Sequence, residues 1–162
     1  TEVVSRYLVA QISAGADVVQ LFDSWVGALS PSVYRQFVLP YSKRIFEAIK
    51  QTGTPAIHFG TGTASLLELM TEAGGDVISI DWRVDLDDAW VRIGYERGIQ
   101  GNLDPTLLLT TWETIKANMQ DVLRRADNRP GHIFNLGHGV LAPTDPDMLR
   151  RLVDAVHETT RR

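Results

Sequence analysis

The sequence predicts an α/β fold, a parallel sheet covered by helices, on three observations. Short, dense apolar runs at 18–22, 56–59, 77–80, 98–101 and 133–136 have strand character. The runs are spaced about 20 to 40 residues apart and separated by amphipathic patterns, enough chain for a crossover helix each time. Glycines and polar residues collect just after the runs, where the loops of parallel α/β folds bind ligands. Two architectures fit, an open doubly wound sheet and a (β/α)8 barrel. A whole barrel takes about 250 residues and eight units, so these five units form either an open sheet or part of a larger barrel.

A helix precedes the first strand. Strand 18–22 leads into the loop Asp23-Ser-Trp-Val-Gly27. Ser30-Pro31 then opens a helix, with Ser as N-cap and Pro in the first turn. Pro40 breaks that helix and restarts it. The second piece runs to about Gln51, with Tyr41, Ile45, Phe46 and Ile49 on its inner face, and Gly53 and Pro55 end it. Strand 56–59 ends in Gly60-Thr-Gly62, followed by a helix with Leu66, Leu67, Met70 and Ala73 inward, closed by Gly74-Gly75.

Strand 77–80 leads into Asp81-Trp82-Arg83. The helix from Asp85 carries Leu86, Ala89, Trp90 and Ile93 at i, i+3, i+4 and i+7. Strand 98–101 is weak and runs into Asn102-Leu-Asp-Pro105, where Asp104 reads as a cap. A helix from about Thr111 places Trp112, Ile115, Met119, Val122 and Leu123 on one stripe. After strand 133–136, Asp145 caps a last helix with Pro146 in its first turn, burying Leu149, Leu152, Val153 and Val156.

The 162 residues fit one domain, 1–162. Hydrophobic content of 44% and charged content of 22% are those of a globular protein. No apolar run reaches about 18 residues, so no transmembrane helix is expected. The start carries no signal peptide pattern and no Met, so an upstream part is expected to have been removed. Cysteine is absent, which excludes disulfides, thiol nucleophiles and Cys-based metal sites, and fits a reducing cytoplasm. With a net charge of −4 and scattered basic residues, nucleic acid is not an expected partner.

The most informative stretch is Phe134-Asn-Leu-Gly-His-Gly-Val-Leu-Ala-Pro143. A buried strand stops at Gly137-His138-Gly139, and bare backbone on both sides lets His138 face a bulky ligand or hydrogen-bond a nearby loop. Ser24 either caps its loop or faces a cleft. Asp81 either pairs with Arg83 and local backbone or serves a site. His58 reads as a core histidine, and His132 and His157 as surface residues. Gly60-Thr-Gly62 is a poor nucleotide signal, because Ser occupies position 65 and the fuller glycine pattern is broken. Neither metal-ligand spacing nor a Ser-His-Asp arrangement is recognisable.

Together, Leu21-Phe-Asp-Ser24, Gly27, Leu39-Pro-Tyr41, Asp81-Trp82, Gln100-Gly-Asn-Leu-Asp-Pro105 and Asn135-Leu-Gly-His-Gly139 resemble the uroporphyrinogen decarboxylase family. Asp145-Pro146 and Val153-Asp-Ala-Val-His157 are similar to it as well. The likeness covers nearly the whole chain but only the C-terminal half of the family's length. It implies a partial (β/α)8 TIM barrel comprising the last five strand-helix units, with parallel strands. The implied reaction removes the carboxyls of the four acetate side chains of uroporphyrinogen to give coproporphyrinogen in haem biosynthesis, with no metal or organic cofactor.

On the same resemblance, Ser24 and His138 bind polar groups of the substrate and Phe22 is an apolar wall. The family's aspartate, arginines and tyrosine lie outside this chain, so it holds no catalytic residue of its own and is expected to be inactive alone. A cytoplasmic homodimer is implied for the whole enzyme. Trp25, where relatives carry a smaller or polar residue, implies a different cleft wall. Two rivals remain, a corrinoid or coenzyme M methyltransferase of the same fold and a non-catalytic half-barrel that serves as an interaction module. The methyltransferases use zinc with Cys and His ligands, and the absence of cysteine weighs against them.

Overall fold

The computed structural model describes residues 1–161. Its sheet consists of β1 (Val19–Asp23), β2 (Ala56–Gly60), β3 (Val77–Ser79), β4 (Gly98–Leu103) and β5 (His132–Leu136). All neighbours are parallel and the spatial order is β1-β2-β3-β4-β5. The order never reverses. A doubly wound sheet has a switch point where it does, so the topology is that of consecutive barrel units. Helices α1 (Glu2–Ser13), α2 (Pro31–Phe37), α3 (Leu39–Lys50), α4 (Leu67–Ala73), α5 (Leu86–Ile93), α6 (Trp112–Ala126) and α7 (Pro146–Thr160) complete the chain, with short 3₁₀ turns at Val26–Ala28 and Pro105–Leu109.

The helix boundaries follow from local chemistry. Ser30 accepts the Val33 N–H at 3.4 Å, Thr111 accepts that of Thr114 at 3.4 Å, and Asp145 accepts that of Asp147 at 2.9 Å. Asp104 caps the second 3₁₀ turn through the Thr106 N–H at 2.8 Å. Pro40 sits in the first turn of α3, directly after the break that ends α2.

Alternation along the strands sorts the side chains into two layers. One layer (Ile78, Ile80, Ile99, Leu103, Leu136) packs against the helices, with Leu86, Ala89, Trp90, Ile115, Met119 and Leu152 opposite. The other points to a face bare of helices. There Phe22 is 68% and Ile133 41% exposed, large apolar side chains that a closed barrel would cover. A polar bridge spans this bare face, where Gln100 Nε2 donates to Ser79 at 2.9 Å and to Gln20 at 3.2 Å.

Four local expectations are corrected. β4 is no weak strand of four residues: it extends to Leu103, because Asn102 Nδ2 anchors its end by donating to the carbonyls of Asp81 at 3.0 Å and Val84 at 2.7 Å. His132 is not a surface residue. It opens β5 half-buried, with Nε2 3.0 Å from the Gly101 carbonyl and its ring against Trp90 and Phe134, and burial lowers its pKa. Tyr41 is half exposed, leaving Ile45, Phe46 and Ile49 as the inner face of α3. Val153 is also half exposed, since α7 stands at the open edge beside β5 with no neighbouring helix on its outer side.

Candidate functional site

A cavity of about 440 Å³ lies at the C-terminal ends of β1 and β5 and is lined by Phe22, Ser24, Phe59, Asn135 and His138, among others. β1 and β5 are the two edges of the sheet. Flat strands about 4.8 Å apart would hold those edges roughly 19 Å from each other, too far for the first and last strands to share so small a cavity. The sheet is therefore strongly curled, and the curl brings Ser24 and His138 together.

The side chains there have complementary characters. Phe59 lies in register beside Phe22, with ring centroids 5.6 Å apart edge to face, and His138 stands edge-on to Phe59 at 5.9 Å. This apolar wall suits the flat face of an aromatic ring. The Ser24 hydroxyl has no hydrogen-bond partner among the described residues. It is not a loop cap, and it can donate or accept. His138 Nδ1 accepts the Gly139 N–H at 2.6 Å. The neutral ring therefore carries its proton on Nε2, a donor suited to a carboxylate oxygen. Phe59, Asn135 and Gln20 escaped the sequence reading as lining residues. For Phe59 the signal was present, because alternation along 56–59 turns it to the face opposite His58.

Other candidates prove structural. Asp81 is buried and pairs with Arg83. It also accepts the Gly62 N–H at 2.6 Å and the Arg83 N–H at 3.0 Å. The Gly60-Thr-Gly62 turn thus already holds an anion, a carboxylate of this chain. His58 is fully buried on the helix-covered face, with Nδ1 3.3 Å from the carbonyls of Met70 and Gly74. Its Nε2 has no partner, and burial pulls its pKa down to about 4. It is a core histidine, satisfied at one nitrogen only. Burial also raises the pKa of the Asp23 carboxyl, and burial together with the Asp23 charge raises that of Tyr34. Trp25 is 88% exposed and does not line the cavity. His157 is exposed, as expected.

Two glycines let the loops approach. A Cβ on Gly27 would lie 2.1 Å from the Thr61 carbonyl oxygen, and one on Gly137 would lie 2.7 Å from the Trp82 nitrogen. No group of three or more His, Asp or Glu positioned to hold a metal occurs among the described residues. No helix among them is long and apolar enough to cross a membrane.

Curled parallel strands with a cavity at their C-terminal ends define the class: part of a β/α barrel, a fold whose ligand-binding loops lie on that rim. Residues 1–159 match the family described as uroporphyrinogen decarboxylase (URO-D), and the chain belongs to that family. It is 54% identical over 153 residues to the uroporphyrinogen decarboxylase of Carboxydothermus hydrogenoformans, covering 94% of this chain and 44% of that protein. It is 53% identical over 161 residues to the one from Streptomyces avermitilis, covering 99% of this chain and 45% of that protein. The chain thus spans less than half the length of these relatives. Among solved structures, a methyltransferase from Methanosarcina mazei superposes with a TM-score of 0.85 at 23% identity, over 99% of this chain and 47% of the other. At that identity the likeness establishes the fold alone.

Proposed function

We propose that these residues act as one unit, the C-terminal part of a uroporphyrinogen decarboxylase barrel. That enzyme removes the acetate carboxyls of uroporphyrinogen to give coproporphyrinogen. The observation that carries the reading is the single cavity shared by Ser24, Phe22 and His138, the residues the family resemblance singles out.

The reaction demands little machinery. Protonation of a pyrrole α-carbon turns the ring into an electron sink. Loss of carbon dioxide from the acetate methylene then leaves an exocyclic double bond, which is protonated as the α-carbon gives back its added proton and the aromatic pyrrole returns. Positioning and placed charge are enough to speed these steps. In this reading Phe22 and Phe59 hold a pyrrole face, the Ser24 hydroxyl and His138 Nε2–H bind carboxylate oxygens, and the general acid is supplied by the rest of the barrel. The chain brings no cofactor and no metal of its own to the reaction. The complete enzyme is a cytoplasmic homodimer, with neither nucleic acid nor membrane as partner.

The test joins this chain to the N-terminal part of the Carboxydothermus hydrogenoformans relative. The joined protein is expected to convert uroporphyrinogen to coproporphyrinogen, and the 162-residue chain alone to give none. Conversion by the chain alone would overturn the division of labour. A folded joined protein that binds zinc and transfers methyl groups, without decarboxylating, would favour the methyltransferase rival.

A further inference from the structure

Ser24 and His138 sit on loops at opposite edges of the sheet, yet a continuous series of contacts connects them. The Ser24 carbonyl accepts the Thr61 hydroxyl, and the neighbouring Gly62 N–H donates to Asp81 Oδ2 at 2.6 Å. The Asp81 carbonyl takes the Asn102 amide at 3.0 Å, tying in the end of β4. On the far side the backbone of Asp81 lies against Gly137, where a Cβ would come within 3.0 Å of the Asp81 Cα. Gly137 is the residue before His138, and its own N–H is held by the Leu103 carbonyl at 2.7 Å. The loops after β1, β2 and β5 and the end of β4 thus meet Asp81 directly or through one neighbour.

We propose that Asp81 is a positioning residue: its buried carboxylate ties the Gly62 loop, and through Thr61 the Ser24 loop, to a backbone that Gly137 packs against, so that Ser24 and His138 are held in one spacing, matched to a carboxylated substrate. The assignment of the cleft to that substrate rests on the reading above; the positioning does not. The carboxylate is 1% exposed and accepts only donors, from Gly62, the Arg83 backbone and the Arg83 guanidinium. An amide in its place turns one donor–acceptor contact into a donor–donor clash, so the Gly62 loop has to move. The sheet contains its own control. At the other end of β2 and β3, Asp76 accepts the Ala56 N–H at 2.8 Å, a similar tie with no link to the rim.

The experiment compares amide ¹H–¹⁵N spectra of the chain with those of Asp81→Asn, Asp76→Asn and Thr61→Val. Asp81→Asn is expected to shift both the Ser24 and Gly139 amides, Thr61→Val only that of Ser24, and Asp76→Asn neither. Unmoved Ser24 and Gly139 amides in Asp81→Asn, or equal movement in Asp76→Asn, overturn the proposal. If Asp81→Asn does not fold, Thr61→Val decides, and a Ser24 amide that stays in place sinks it. In the joined enzyme, Asp81→Asn is expected to cost tenfold or more in kcat/KM, mostly in kcat. Asp76→Asn lowers Tm with kcat/KM unchanged, and a matching kcat/KM loss there counts against positioning. Moved amides in a protein that consumes no porphyrinogen leave the positioning intact and remove the substrate reading.

Discussion

Acid should unfold this chain through His58. Its Nδ1 proton is held by the Met70 and Gly74 carbonyls, so a second proton would go to Nε2, which is buried without a partner. Burial lowers the folded pKa from 6.5 to about 4. Between those values the unfolded chain binds a proton that the folded chain refuses. The stability this group contributes is therefore complete above pH 6.5 and falls as the pH drops toward 4. Linkage puts the loss between pH 7 and pH 5 at about 2 kcal/mol. With urea slopes of about 1–3 kcal/mol/M, the unfolding midpoint should fall by roughly 1 M. His132 adds to the same trend, and Asp23, raised by burial, opposes it, so the quantity to measure is a difference. His58→Asn keeps a donor near Nδ1 and removes the titration. Urea unfolding of both proteins at pH 7 and pH 5 should show the wild-type midpoint falling further by about that amount. Parallel falls would refute the reasoning.

Two other outcomes are expected. Gly137→Ala places a methyl group 2.7 Å from backbone, which should cost about 1–3 kcal/mol in urea unfolding and shift the His138 ring resonances. The unpaired edges β1 and β5, with Phe22, Ile133 and Val153 exposed beside them, should make the isolated chain self-associate as its concentration rises. Light scattering would detect this, and the joined protein should lack that edge-driven association.

The fold was legible because its signals are local. Apolar runs, caps at Ser30, Asp104 and Asp145, and the i, i+3, i+4, i+7 pattern of Leu86, Ala89, Trp90 and Ile93 depend only on sequence neighbours, and all reappear in the structure. Local signals could not decide between an open doubly wound sheet and a barrel. That needed strand order, and before it the family resemblance. The misjudged residues depend on what lies beside them in space. His132 looked like a loop residue until Trp90 and Phe134 flanked it, and Val153 looked buried because the periodicity of α7 cannot report a missing neighbour. At the site, Ser24 and His138 were found through motifs. Phe59 was visible only as one phase of a short alternation, and the role of Asp81 emerges from its contacts to other loops.

The central claim is that Ser24 and His138 act on one ligand in one cleft. A double-mutant cycle in the joined enzyme, Ser24→Ala and His138→Asn singly and together, tests it through kcat/KM for uroporphyrinogen. Each single change should lower kcat/KM, and the combined loss should depart from the sum by about 0.5–3 kcal/mol, as for residues sharing a partner. Strict additivity, or full activity in either single variant, would contradict it.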